Sequence, residues 1–195
     1  SFKYYIQKLV MQISSKNKIL ISMPNIIDPY FSNSVILLCE HNKKGAMGII
    51  INKKIDASIL NEIIDLKYYS HIFPKSSFKD IFFGGPIFVN KGFVLHRSIE
   101  KTKNTVRISK DFSITDCKNA QTLINKKNKI DHKLVFGHAG WSSGQLENEI
   151  GRGDWLIQNI SSDFVFTEKA DKMWDNATSS LGFDSGSIAV MNAKA

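Results

Sequence analysis

Two cysteines, four prolines and three arginines are all that this 195-residue chain contains of those types. Each scarcity excludes something. Cys39 and Cys117 stand alone, in neither a CxxC pair nor a zinc spacing, so a disulfide scaffold and a zinc module are both excluded. Isolated thiols of this kind suit a reducing compartment and a buried position. Long apolar runs are missing too: none approaches the ~18 residues of a membrane-spanning helix. Residues 1–10 hold lysines but no apolar core with a cleavage site, so no secretory signal is legible there. The expected location is the cytoplasm. The first residue is Ser1 rather than an initiator Met.

Positive charge is abundant, but arginine is not. Lys+Arg is 26 against Asp+Glu 18, a net +8. Such a balance favours anionic partners. Only Arg97, Arg107 and Arg152 carry the planar fork suited to bidentate base and phosphate recognition, however. Lysines fall beside Asn and Ile, as in Asn125-Lys126-Lys127-Asn128-Lys129. Scattered charge of this type is a solvated surface before it is a site. Hydrophobic residues make up 43% and charged residues 23%, the usage of a globular chain able to bury a core. A single domain over 1–195 is expected, with residues 1–17 as an extension.

The pattern along the chain alternates strands with irregularly placed helices. Lys18–Met23 predicts a strand halted by Pro24. Asn25–Phe31 is a loop with a turn at Asp28-Pro29. Ser34–Glu40 is nearly all apolar and predicts a strand buried on both faces. His41–Gly45 is a polar turn and Ala46–Asn52 the returning strand, giving a hairpin with a longer loop. Ile59, Leu60, Ile63, Ile64 and Leu66 recur at helical spacing behind a cap at Asp56 or Ser58. Short strands are expected at 80–83, 92–96, 105–108 and 133–137, with an extended stretch at 154–160. Capping boxes at Ser113-x-x-Asp116 and Ser142-x-x-Gln145 predict two helices. The last helix carries Ala170, Met173, Trp174, Ala177 and Leu181 and stops at Gly182. An early hairpin followed by mixed elements makes the fold α+β.

No motif of known chemistry is complete in the chain. Gly84-Gly85-Pro86 follows a strand but lacks the Lys-Ser/Thr of a phosphate loop, so its glycines predict unusual angles or close chain approach. Gly151-Arg152-Gly153 is half a dinucleotide fingerprint. A zinc set from Glu40, His41, His96 and His138 has no local spacing behind it. Cys39 and His41 alternate on one strand face and could meet as nucleophile and base. The run around Cys39 reads as buried, which favours a core thiol. Gly137–Glu147 is the segment densest in unusual residues. It lacks the GxSxG spacing of a nucleophile elbow, but its strand-to-helix turn could hold an anion, with Trp141 free to stack or pack.

These residues carry a resemblance in order along the chain. Ile19–Pro24 with Asp28-Pro29-x-Phe31 and Ser34-Val35 resembles the opening of the AlgH/YqgE family. Cys39-Glu40-His41-Asn42-x-x-Gly45-Ala46-Met47-Gly48-x-x-Ile51-Asn52 is similar to its most specific block. Gly84-Gly85-Pro86 with Lys91–His96 resembles a third block. Ala139-Gly140-Trp141-x-x-Gly144–Glu147-x-Glu149-Ile150 with Trp155-Leu156 resembles a fourth. The match covers about residues 18 to 183. It implies a single α+β domain whose bifurcated, partly barrel-like mixed sheet is surrounded by helices, in a cytosolic bacterial protein. The family's best-known label is a regulator of transcription linked to alginate production. It supplies no agreed catalytic residues. Members typically end in Gly-His-Ala, whereas this chain ends Asn192-Ala193-Lys194-Ala195, and His138 stands where a Tyr is expected.

Two functional expectations follow. One is a non-enzymatic regulatory or interaction protein, with a protein partner and no direct sequence-specific DNA binding, since no helix gathers Arg, Asn and Gln on one face. The alternative is a ligand-binding protein or enzyme whose cleft gathers Glu40, His41, Asn52, His96, Trp141, Gln145 and Glu147, polar residues at strand ends. No catalytic residue, cofactor or metal is assigned on either reading.

Overall fold

A computed structural model describes residues 18–73, 80–97, 102–124 and 130–180 of the chain. Nine strands are present among them: β1 (Lys18–Ser22), β2 (Val35–Asn42), β3 (Gly45–Ile50), β4 (Ile81–Phe83), β5 (Ile87–His96), β6 (Thr105–Arg107), β7 (Ser113–Asp116), β8 (His132–Ser142) and β9 (Trp155–Asn159). Six helices accompany them: α1 (Ala57–Ile63), α2 (Leu66–Ser70), α3 (Cys117–Ile124), α4 (Gln145–Arg152), α5 (Ser162–Thr167) and α6 (Ala170–Ser179). The strands form one mixed sheet in the order β6-β7-β5-β8-β3-β2-β1-β9, and β4 pairs with β8 as a branch.

The branch is what makes the sheet bifurcated. The first half of β8 runs between β5, antiparallel, and β4, parallel. Its second half leaves β4 and pairs antiparallel with β3, from Ala139↔Gly48 to Ser142↔Gly45. The change of partner occurs at Gly137, whose φ is 75°, beside Gly85 at φ 147°. A side chain on Gly85 would overlap the backbone of His138, and one on Gly137 would overlap the Gly85 carbonyl. Close backbone approach, which the sequence suggested for Gly84-Gly85, is therefore the reason no larger residue fits.

Burial explains the strand composition. At β1, β2 and β3 both faces of the sheet are covered. Ile19, Ile21, Val35, Leu37, Ile49 and Ile51 face α5 and α6 through Val165, Met173, Trp174 and Ala177. Leu20, Ile36, Leu38 and Ile50 face the other way, toward Trp141, Leu146 and Trp155. Strands covered on both sides read as continuous apolar runs rather than alternating ones. A third cluster packs Leu60, Ile64, Phe73, Cys117 and Ala120 against Ile81, Val94, Leu134 and Phe136.

Several boundaries differ from those the sequence suggests. The β2–β3 hairpin closes through Lys43-Lys44 alone, because Asn42 pairs directly with Gly45, so His41 lies in a strand. Ser113–Asp116 is a strand, and the cap of α3 is Asp116, whose carboxylate accepts from the Asn119 N–H at 3.1 Å. Ser142 likewise ends a strand, and Gly144 caps α4. The Gln145 side chain still reaches back to the Ser142 N–H at 3.0 Å, which is half of the expected box. The expected helix after Asp56 breaks into α1 and α2 at Ile64, and Asp56 is its cap. Helix α5 follows a Ser161 cap and was not expected. The expected stop at Leu181-Gly182, the lysine run 125–129 and the terminal residues 192–195 lie outside the described residues.

Candidate functional site

At the end of β8 the chain turns through Gly144 into α4, and this turn faces the hairpin tip and the start of β9. Glu149 on α4 is the hub. Its Oε2 accepts from two indoles, Trp141 Nε1 on β8 and Trp155 Nε1 on β9, each at 2.8 Å. Its Oε1 accepts from Gln145 Nε2 at 2.9 Å. Gln145 in turn accepts from the Ser142 N–H and hydroxyl. The two indoles meet edge to face at 6.0 Å between centroids, and Phe31 meets Trp155 the same way. One carboxylate thus ties the last turn of β8, a helix and β9 together.

His41 is the second link. Its Nε2 lies 2.9 Å from Glu147 Oε1, with the His41 side chain 8% exposed and that of Glu147 20%. Ser143 Oγ donates to the Lys43 carbonyl at 2.7 Å, fastening the hairpin tip to the same turn. Below the network, Asn25 Nδ2 and Arg152 both donate to Asp154, which anchors the loop after β1. Between loop and helix lies a cleft of about 210 Å³ walled by Ile26, Phe31, Trp155, Trp141, Gln145 and Arg152. Its floor is apolar, and its polar rim is already hydrogen-bonded internally.

Of the seven residues proposed from sequence, Trp141 and Gln145 line this cleft and meet at Glu149, while His41 and Glu147 pair with each other at the hairpin side of the same helix. The other three are placed elsewhere. Glu40 points to solvent and accepts from Asn42 Nδ2 on its own strand. Asn52 accepts from the Val35 N–H and donates to the Asn33 carbonyl, bracing the left-handed turn at Asn33. His96 sits opposite His132, at the far end of β8 from Trp141. It is 1% exposed, and its Nε2 lies 2.8 Å from the Thr115 hydroxyl. Burial, reinforced by the neighbouring His132, pushes the His96 imidazole down to about 4. Glu40, His41, His96 and His138 therefore do not gather as a zinc set. His138 instead lies against the Phe88 ring, and burial lowers its imidazole below the ordinary range.

The Cys39–His41 alternative also fails on geometry and acidity. Cys39 sits at a bulge and packs against the α5–α6 side of the core, whereas His41 turns to the other face and reaches Glu147 on α4. Burial pushes its thiol up to about 12, and Cys117 is raised as well. A thiolate is not available at neutral pH.

The hub, Glu149, and its second indole, Trp155, are not among the seven residues the sequence suggests. A signal existed: Gln145 and Glu149 are four apart and so share one face of α4. That this face meets both indoles depends on β9 returning beside β1, with Trp155 opposite Ser22, which is not readable locally.

Comparisons with known proteins agree with this architecture. The chain is 39% identical over 174 residues to a UPF0301 protein of Marinomonas sp. (strain MWYL1), covering 88% of this chain and 91% of that one. It is 32% identical over 177 residues to a UPF0301 protein of Vibrio parahaemolyticus, covering 89% and 95%. The solution structure of the AlgH protein from Pseudomonas aeruginosa superposes with a TM-score of 0.68 at 29% identity, over 92% of this chain and 93% of that one. A crystal structure of a Corynebacterium diphtheriae protein shares the fold, with a TM-score of 0.65 at 20% identity over 87% and 90%. A family model described as AlgH-like matches residues 19–186, which include the forked β8 and the whole Glu149 network. The chain belongs to the AlgH-like family.

Proposed function

We propose that the chain is a cytoplasmic, non-enzymatic regulatory protein that acts by binding a protein partner at the Trp141–Trp155 end of the sheet. One observation carries this reading. Every acid and base of the cleft rim is engaged by a neighbour in the fold, while the apolar wall stays open. A catalytic centre needs a group poised toward a reacting atom; a binding face needs an apolar pocket inside a polar rim. The loop that walls the cleft also presents Ile27, 89% exposed, and Tyr30, 50% exposed. A partner segment with a projecting aliphatic or aromatic side chain suits that surface.

Site-specific photocrosslinking in cells tests it. A crosslinker placed at Ile27 or Tyr30 is expected to trap one and the same protein, and one at Val106, exposed on β6, is expected not to. Adducts of equal pattern from all three positions, or none, would sink the reading. Any link to transcription is then expected to run through that partner. Fluorescence anisotropy with duplex and single-stranded DNA should stay flat even at low salt, where phosphate contacts are strongest.

The second reading is a small-ligand site in the same cleft, favoured by the two indoles that line it. Its mark would be a low-molecular-weight compound that raises the melting temperature and whose effect is lost in Trp155→Phe.

A further inference from the structure

A second cavity, of about 580 Å³, opens on the other side of the molecule from α4, where the start of β8 and the β4 edge face the α5–α6 junction. Its size is that of a small-molecule pocket. Lys133 on β8 lines it and is 7% exposed. The Nζ donates to the Ile51 carbonyl at 3.3 Å and lies 4.2 Å above the Phe82 ring. Both partners are neutral. Among the described residues no carboxylate lies within ion-pairing distance of it, because the near candidate, Asp80, is held by Lys54 at 2.7 Å. An ammonium withdrawn from water normally has a counter-charge. Lacking one, and with Lys54 adding repulsion beside it, Lys133 is lowered to about 8, burial being the larger cause.

The remaining wall decides what kind of counter-charge would fit. Glu168 and Asp171 contribute carboxylates from the α5–α6 side, with Lys169 between them and His132 next to Lys133. His132 Nδ1 is already within 2.8 Å of the Ile130 carbonyl. With Lys54 and Asp80 cancelling, the wall is balanced: Lys133 and Lys169 against Glu168 and Asp171. A plain anion would meet two carboxylates. Phe166 and Ala170, with the nearly buried Phe82 and Leu134, supply the apolar part of the groove. A ligand with one charge of each sign and an apolar body matches all of these features.

We propose that this groove binds a free zwitterionic amino acid with a large apolar side chain, its carboxylate held by Lys133, its ammonium by Glu168 or Asp171, and its side chain against Phe82 and Phe166. The site is separate from the Trp141 cleft and does not depend on the protein-partner reading.

Calorimetric titration of the full chain with three probes sharing one phenyl ring tests the assignment: L-phenylalanine, 3-phenylpropionate and phenethylamine. Phenylalanine is expected to bind at least tenfold more tightly than either singly charged probe. Near pH 8, titration in buffers of different ionisation enthalpy should show proton uptake, since a carboxylate beside Lys133 favours its charged form. Lys133→Met should weaken phenylalanine at least tenfold and abolish the uptake. Glu168→Gln, which keeps an acceptor for the Lys169 N–H, combined with Asp171→Asn should narrow the preference for phenylalanine over 3-phenylpropionate. The proposal is overturned if no probe binds at 10 mM (roughly a millimolar-or-weaker ceiling on affinity). It is equally overturned if 3-phenylpropionate or inorganic phosphate binds as well as phenylalanine, or if Lys133→Met retains wild-type affinity.

Discussion

Gly85 and Gly137 leave no room for a side chain, and Gly151 leaves ample room; the contrast gives a clean test of what single residues do here. Gly85 and Gly137 combine positive φ with a backbone carbonyl in the path of any Cβ. Alanine at either position should cost at least about 1–3 kcal/mol, the range for forcing a non-glycine residue into such a conformation. Gly151 lies inside α4 with nothing within 4 Å of an added Cβ. Gly151→Ala should stabilise by roughly 0.5–1 kcal/mol, through lost unfolded-state entropy. Chemical denaturation of the three variants checks both signs. His96 gives a second residue-scale prediction. Its imidazole has a folded value of about 4, and its Nδ1 has no hydrogen-bond partner among the described residues. The unfolded chain therefore binds more protons between the ordinary histidine range near 6.5 and about 4. Stability from this group is complete above about 6.5 and is lost as pH falls toward 4, by up to about 3 kcal/mol. Comparing wild type with His96→Gln over that window isolates the effect from the carboxylates, and parallel pH curves would refute it.

Among the elements, the turn from β8 into α4 depends most on one side chain. Glu149→Ala leaves two indole N–H groups without their acceptor, on Trp141 at 8% exposure and Trp155 at 3%. With hydrogen bonds to a charged group at about 1.5–3 kcal/mol each, and partial rescue by water at the cleft, a loss of roughly 3 kcal/mol is expected. Trp155→Phe should cost less and should lower the further cost of Glu149→Ala; a double-mutant cycle in urea reads the coupling. Helix α3 tests where the sequence misleads. Ser113-x-x-Asp116 has the letters of a capping box, but Ser113 pairs in the β7 ladder with His96 and Arg107. Asp116→Ala should therefore cost about 1 kcal/mol as a lost cap, and Ser113→Ala should not behave as one. Local letters made both boxes legible as helix starts. They could not show which member ends the preceding strand, because strand length is set by the partner strands. The same holds for β7, whose four residues alternate too briefly to signal a strand, and for the His41 side of the hairpin.

For the molecule as a whole, the α+β class and the covered strands were legible because burial on both faces writes continuous apolar runs into β1, β2 and β3. The candidate cleft was half legible. His41, Trp141, Gln145 and Glu147 sit in two short segments that the hairpin and the β8–α4 turn bring together. Glu149 and Trp155 join them only through the β1–β9 pairing, and Lys133 acquires its setting from α5 and α6, which lie far along the chain. Strand β8 is the feature that unites these distant parts. Val135 belongs to the cluster under α5 and α6, Leu134 and Phe136 to that under α1–α3, and Ala139 and Trp141 to that under α4. Three clusters sharing one strand should not melt separately. Urea unfolding followed by far-ultraviolet circular dichroism and by tryptophan fluorescence, with Trp141 and Trp155 in one cluster and Trp174 in another, is expected to give one coincident transition. Phe136→Ala, truncating a fully buried ring on β8, should cost roughly 3–5 kcal/mol. It should move the midpoint of both signals together and leave the slope unchanged. Two separated transitions in the variant would mean that the clusters are held together only loosely by β8, and that the fork, rather than being the centre of the fold, is a hinge between independent halves.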